Sequence, residues 1–153
     1  MSNRNKRKGR AKFILLEGYV LRTEAWRSLT PADRSLYLAL KWKYDGLNNG
    51  RIGLGCREAA ELMGVSSKDT ANRSFDNLQD RGFIRLSKPS GFMTKNRAAA
   101  EWRLTEYPCD VTGELPTKEF TRWVAPEKTT VRNLGQTVRF LGQDVPKRRA
   151  SHG

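Results

Sequence analysis

Apolar residues recur with helical spacing at Leu36, Tyr37, Leu40 and Tyr44, and Leu38 and Trp42 widen that face. Thr30-Pro31-Ala32-Asp33 in front of them supplies an N-cap, a proline at the first helical position and an acid at the third. The pattern predicts a central helix from Thr30 through Tyr44. Upstream, Thr23–Leu29 with Trp26 predicts a short helix, and Phe13-Ile14-Leu15-Leu16 a strand or the lead-in to a helix. Downstream, Asp45-Gly46 and Asn48-Asn49-Gly50 punctuate the chain, and Arg51–Leu54 predicts a short strand. Cys56–Met63 predicts a helix stopped by Gly64.

The next segment carries the most information. Ser66 followed by Asp69 has the form of a capping box at the start of a helix. Ala71, Phe75 and Leu78 make its apolar stripe, Lys68, Asp69, Asn72, Arg73 and Asp76 lie away from that stripe, and Gly82 ends the helix. Phe83–Ser87 and Ala100–Thr105 predict two strands, with Trp102 and Leu104 on one face of the second. Lys88-Pro89-Ser90-Gly91 is a turn, and the connection through Ala99 holds Lys95, Asn96 and Arg97, so the pair reads as a β-hairpin with a basic tip. Pro108 and Gly113 interrupt regular structure, and Lys118–Trp123 predicts a last helical turn that docks Phe120 and Trp123 back on the domain.

Residues 51–105 resemble the winged helix-turn-helix of bacterial regulators and of plasmid or phage replication proteins. The resemblance rests on Arg57-Glu58-x-Ala60-x-x-x-Gly64-Val65-Ser66 and on Thr70-Ala71-x-Arg73-x-Phe75-x-x-Leu78-x-x-x-Gly82-Phe83-Ile84. Asn48-Asn49-Gly50-Arg51-Ile52 joined to Arg57-Glu58-Ala59-Ala60 is similar, more narrowly, to small helix-turn-helix proteins of proteobacterial plasmids and prophages. Two departures stand out: Ser66–Thr70 is one residue longer than the common Ser-x-x-Thr turn, and Ala71 replaces the more usual Val or Ile. The resemblance implies an α+β fold with a three-helix core and a β-hairpin wing.

Charge adds a partner class. The 153 residues carry a formal net charge of +13, and polyanions are the natural counterpart of such a surface. The excess is uneven. Residues 1–12 hold Arg4, Lys6, Arg7, Lys8, Arg10 and Lys12 without an acid. With a mean hydropathy of −0.70, the expected organisation is a disordered basic arm over 1–12, a winged helix-turn-helix domain with a C-terminal extension over 13–125, and a disordered basic tail over 126–153. In the tail, Leu134-Gly135-Gln136-Thr137-Val138 recurs as Leu141-Gly142-Gln143-Asp144-Val145. This is either a chance repeat or a short motif shown twice to a protein partner.

The expected partner is double-stranded DNA. A major groove admits one helix and offers base-edge donors and acceptors, for which Asn72 and Arg73 suit adenine and guanine. Ser66, Ser67, Lys68, Asp69 and Thr70 stand at the helix start, where hydroxyls, an ammonium and free backbone N–H groups meet phosphate. Lys88, Lys95, Asn96 and Arg97 would reach the flanking backbone, and the basic arm would follow the duplex or enter a minor groove. Against this stands the plainer reading of a solvated helix face with Arg73 paired to Asp69 or Asp76. The four tryptophans read as core or docking residues, not base-stacking platforms.

The leading expectation is a transcriptional regulator of a mobile element, with a homodimer open. The alternatives are a plasmid or prophage replication-initiation or maintenance protein, and an RNA-binding protein or nucleic-acid chaperone dominated by the tails. No enzyme activity, cofactor or metal is expected: His152 is the one histidine, Cys56 and Cys109 lack partners for a zinc site, and there is no phosphate loop. No apolar run approaches the about 20 residues of a membrane span and no secretory signal is evident, so no membrane partner and a cytoplasmic, nucleoid-associated location are expected.

Overall fold

Thr30 opens the central helix with a reciprocal cap. Its hydroxyl accepts from the Asp33 N–H (3.2 Å) and the Asp33 carboxylate accepts from the Thr30 N–H (2.9 Å). The computed structural model describes residues 11–91 and 98–127. Within them lie α1 (Gly18–Leu21), α2 (Glu24–Ser28), α3 (Pro31–Lys43), β1 (Ile52–Gly53), α4 (Cys56–Met63), α5 (Lys68–Asp80), β2 (Ile84–Lys88), β3 (Glu101–Leu104) and a 3₁₀ turn (Glu119–Thr121). The class is α+β: five helices and one small antiparallel sheet in the order β1-β3-β2. This arrangement is compatible with the winged-helix expectation.

The register of β3 explains the order. Ile84 faces Leu104 and Leu86 faces Trp102 on one side, while Ile52 pairs with Trp102 on the other edge. Trp102 is thus shared by both pairings. It stacks on Phe75 of α5 (4.4 Å) and donates its indole N–H to the Leu54 carbonyl (2.9 Å). The core fills the space between sheet and helices with Leu36, Tyr37 and Leu40 of α3, Phe75 and Leu78 of α5, and Phe83 and Ile84. Phe83 stacks on Phe120 (4.8 Å), which docks the 3₁₀ turn. Gly82 makes that approach possible: its φ is +77°, and a Cβ there would sit 3.0 Å from backbone atoms of Glu119 and Phe120.

Several expectations need correction. Leu38 and Trp42 do not widen the apolar face of α3; both are exposed, because the core side of a 13-residue helix packed on one layer is already filled by Leu36, Tyr37 and Leu40. Of the four tryptophans, Trp26 and Trp102 are buried and Trp123 is half-buried against the core. Of the two expectations for Phe13–Leu16, the strand is not formed, and the segment is the extended lead-in to α1, whose N-cap is Glu17. The cap of α5 is Ser67, not Ser66, and it accepts from the Asp69 N–H at 3.1 Å. Counted from that cap the turn is Ser67-x-x-Thr70, and the extra residue precedes the helix. Lys88 belongs to the end of β2, not to the turn, opposite Glu101 and after an irregularity in the ladder.

Two buried polar groups tie the layers together. Asn49 donates to the carbonyls of Leu104, Tyr107 and Pro108 and accepts from the Leu104 N–H, so the loop before β1 is fastened to the end of β3. Glu106 accepts from the Tyr37 hydroxyl (2.6 Å) and from the Lys41 ammonium (2.7 Å), both on α3.

Candidate nucleic-acid interface

α5 turns one side to the core and the other outward. Ala71, Ser74, Phe75 and Leu78 are buried, whereas Lys68, Asp69, Asn72, Arg73 and Asp76 are exposed. The split follows from the 3.6-residue period: positions 69, 72, 73 and 76 lie across the helix axis from 71, 75 and 78. The helix spans roughly 20 Å, and its exposed side carries short polar and charged groups with no large apolar one, as a groove about 12 Å wide requires.

Arg73 extends along its own helix. Its Nε lies 3.5 Å from the Asp69 carbonyl, at the limit of hydrogen bonding, and among the described residues it makes no ion pair with Asp69 or Asp76. The guanidinium fork therefore faces outward with its donors available. Lys68 is likewise exposed and outside every ion pair of the described residues. Asp69, in the first turn, complements the helix dipole and presents an acceptor of the kind that meets a cytosine amino group. Ser66 is exposed and Thr70 half-buried; Ser67 uses its oxygen lone pair for the cap and keeps its proton for another acceptor.

Asn72 is less free than its position suggests. Its side-chain oxygen accepts from the Cys56 thiol at 2.5 Å, which leaves the amide N–H groups for an outside partner. Partial burial raises the Cys56 thiol above its ordinary value, so the sulfur stays protonated and able to donate. A two-point contact from Asn72 to adenine would use its amide N–H and the second lone pair of the same oxygen.

The first turn of α4 meets the start of α5 across a groove of about 520 Å³ lined by Cys56, Arg57, Glu58, Glu61 and Lys68, with Ala99 closing one side. Arg57 is a residue that sequence reasoning left out of the candidate site. Its signal was available, since it stands in the first turn of a helix whose Gly55 N-cap has no side-chain bond. Ala99, on the way into β3, brings the hairpin base against Gly55. Lys88 is exposed at the outer end of β2. Lys95, Asn96 and Arg97, the arm residues Arg4, Lys6, Arg7, Lys8 and Arg10, and the tail repeat lie outside the described residues.

The structure thus brings Ser66, Ser67, Lys68, Asp69, Thr70, Asn72 and Arg73 onto one surface and adds Arg57 to it. Among the described residues no group of three or more His, Cys, Asp or Glu side chains is placed to hold a metal, and no helix is long and apolar enough to cross a membrane. No protein-family model, curated protein or solved structure matches the chain.

Proposed function

We propose that this chain is a winged helix-turn-helix protein that binds duplex DNA, with α5 in the major groove, the β2–β3 hairpin along the flanking backbone and the basic arm on the same duplex. Its biological setting in this reading is transcriptional regulation of a mobile element, in the cytoplasm. The observation that carries the reading is the outward side of α5, where Arg73 and Lys68 stand without acidic partners among the described residues. Asp69 and Asp76 are within helical reach of Arg73 but are not paired with it, so its donors are open to an outside acceptor such as a base edge or a phosphate. Arg57 lines the same groove as Lys68, together with Glu58 and Glu61, and adds a second cation beside the start of α5, able to meet a phosphate.

The test is selection of preferred duplexes from a randomised pool with the full chain, followed by fluorescence anisotropy on the selected and on a scrambled duplex. Arg73→Ala should weaken the selected duplex by about 1–3 kcal/mol and the scrambled one far less, because a base contact carries sequence information and a phosphate contact does not. Binding should also weaken steeply with salt, through release of counterions. Equal loss on both duplexes would remove the reading role of Arg73. A chain whose binding vanishes on deletion of residues 1–12 but ignores Arg73→Ala would instead favour attachment through the arm.

A further inference from the structure

Asn72 is exposed on α5, yet its side chain is tied to the neighbouring helix. Its oxygen accepts the proton of the Cys56 thiol, its one side-chain hydrogen bond among the described residues. A thiol is a donor and only a weak acceptor, so the end of the amide that meets it is the oxygen. The NH₂ group is left pointing away from α4. Asp69 and Asp76 lie three and four positions away on the same helix, within reach of that group, and neither accepts from it among the described residues.

The bond depends on how closely α4 and α5 approach. Cys56 opens α4 directly after its Gly55 cap, and the Ala59 N–H bonds the Gly55 carbonyl (2.9 Å), which fixes that first turn. The two helices are packed on each other, and Ala59, Ala60 and Ala71 are small buried members of the shared core. Ala71 stands where a branched residue is more usual in the resemblance. Its small size keeps α5 close enough to α4 for one cysteine side chain to reach Asn72.

We infer, on the reading that α5 enters a major groove, that Cys56 is a positioning residue for base recognition, holding the Asn72 amide ready for its two-point contact with adenine. A free asparagine on a helix surface samples several rotamers, and its amide faces either way. Ordering such a side chain on binding costs roughly two- to tenfold in affinity. Here the ordering is complete before DNA arrives. The thiol occupies one lone pair of the oxygen and leaves the other, with both N–H groups, for the adenine edge. It also polarises the amide and strengthens those N–H donors. Burial keeps the sulfur protonated at neutral pH, as this role requires.

Duplex selection with the full chain and with Asn72→Ala first identifies the base pair that Asn72 reads, expected to be A·T. Cys56→Ala and Cys56→Ser are then compared by fluorescence anisotropy on duplexes that differ only at that pair. Cys56→Ala should lower discrimination there roughly two- to tenfold and leave the preference that depends on Arg73 unchanged. Cys56→Ser, whose hydroxyl still donates, should keep most of the discrimination. Both should keep wild-type thermal unfolding, because residue 56 is only partly buried. A second readout needs no DNA. NMR relaxation of the Asn72 side-chain amide should show it ordered in the wild type and in Cys56→Ser, and mobile in Cys56→Ala. Equal amide mobility in wild type and Cys56→Ala would overturn the inference whatever the DNA does. So would a loss in Cys56→Ala spread evenly over all duplexes, or an Asn72→Ala variant with unchanged base preference. In that last case the DNA reading itself still stands or falls on Arg73→Ala.

Discussion

Asn49 is fully buried, and its side chain closes four hydrogen bonds to the main chain of residues 104–108: from the Leu104 N–H (2.7 Å), and to the carbonyls of Leu104 (2.9 Å), Tyr107 (3.1 Å) and Pro108 (2.8 Å). Two amide hydrogens serve three carbonyls, so one of these bonds is shared. Asn49→Ala leaves the Leu104 N–H without this acceptor and at least one carbonyl without a donor in a dry environment. At about 1–3 kcal/mol per orphaned group, plus the small void left by the amide, the loss should be about 3–5 kcal/mol. Small domains hold about 5–15 kcal/mol in all, so the variant should be partly unfolded on mild warming. Asn49→Asp is the sharper probe. It keeps the acceptor but turns a carboxylate oxygen toward three carbonyls, and should cost more than Ala at neutral pH and regain stability when acid protonates it. Urea unfolding followed by tryptophan fluorescence and circular dichroism measures both. A loss below about 1 kcal/mol for Ala, or an Asp variant as stable as Ala at neutral pH, would show that Asn49 does not clamp these carbonyls. Because Asn49 touches no residue of the α5 surface, the folded fraction at low temperature should keep wild-type DNA affinity.

Further tests address the buried polar centre. Lys41→Met leaves the Glu106 carboxylate, 1% exposed, without its cation and should cost about 3–5 kcal/mol by thermal or urea unfolding. Adding Glu106→Gln, which still offers the Tyr37 hydroxyl an acceptor, should restore most of that loss; additive losses would refute a coupled pair. Burial first, then the charge of Glu106 and its hydrogen bond, push the Tyr37 hydroxyl well above the usual tyrosine range. Its folded form therefore holds the proton more tightly than the unfolded form. The stability this provides is intact below about pH 10 and should fall by up to about 1.4 kcal/mol per pH unit above it. Tyrosinate absorbance measured with unfolding should show one tyrosine that ionises only as the chain unfolds, and Tyr37→Phe should remove that component.

The legible parts of the sequence are those in which one local pattern has one solution. Thr30-Pro31-Ala32-Asp33 can cap a helix and little else, and Gly64 takes the left-handed conformation (φ +71°) that ends α4. The stripe of Ala71, Phe75 and Leu78 likewise assigns one side of α5 to the core and the polar residues to the other. Most of the candidate site was readable for that reason: it occupies the polar side of a single helix. Trp42 and Leu38 were misread because hydrophobicity states a preference for burial, not whether a neighbouring layer exists to provide it. Arg57 and the Cys56–Asn72 bond were missed because they depend on how the first turn of α4 meets α5, a distance between elements.

Taken alone, then, the chain determined its helix starts, its glycine stops, its strand pair and the side of α5 that carries polar groups, since each depends on residues a few positions apart. Tertiary structure decided what lies far apart in sequence. It joined Asn49 to Leu104 and Tyr37 and Lys41 to Glu106, and left Phe13, Leu15 and Trp42 uncovered. The physical reason is that a buried hydrogen bond or an unfilled apolar face exists only once separate elements are placed against one another, and periodicity within one element holds no information on that placement.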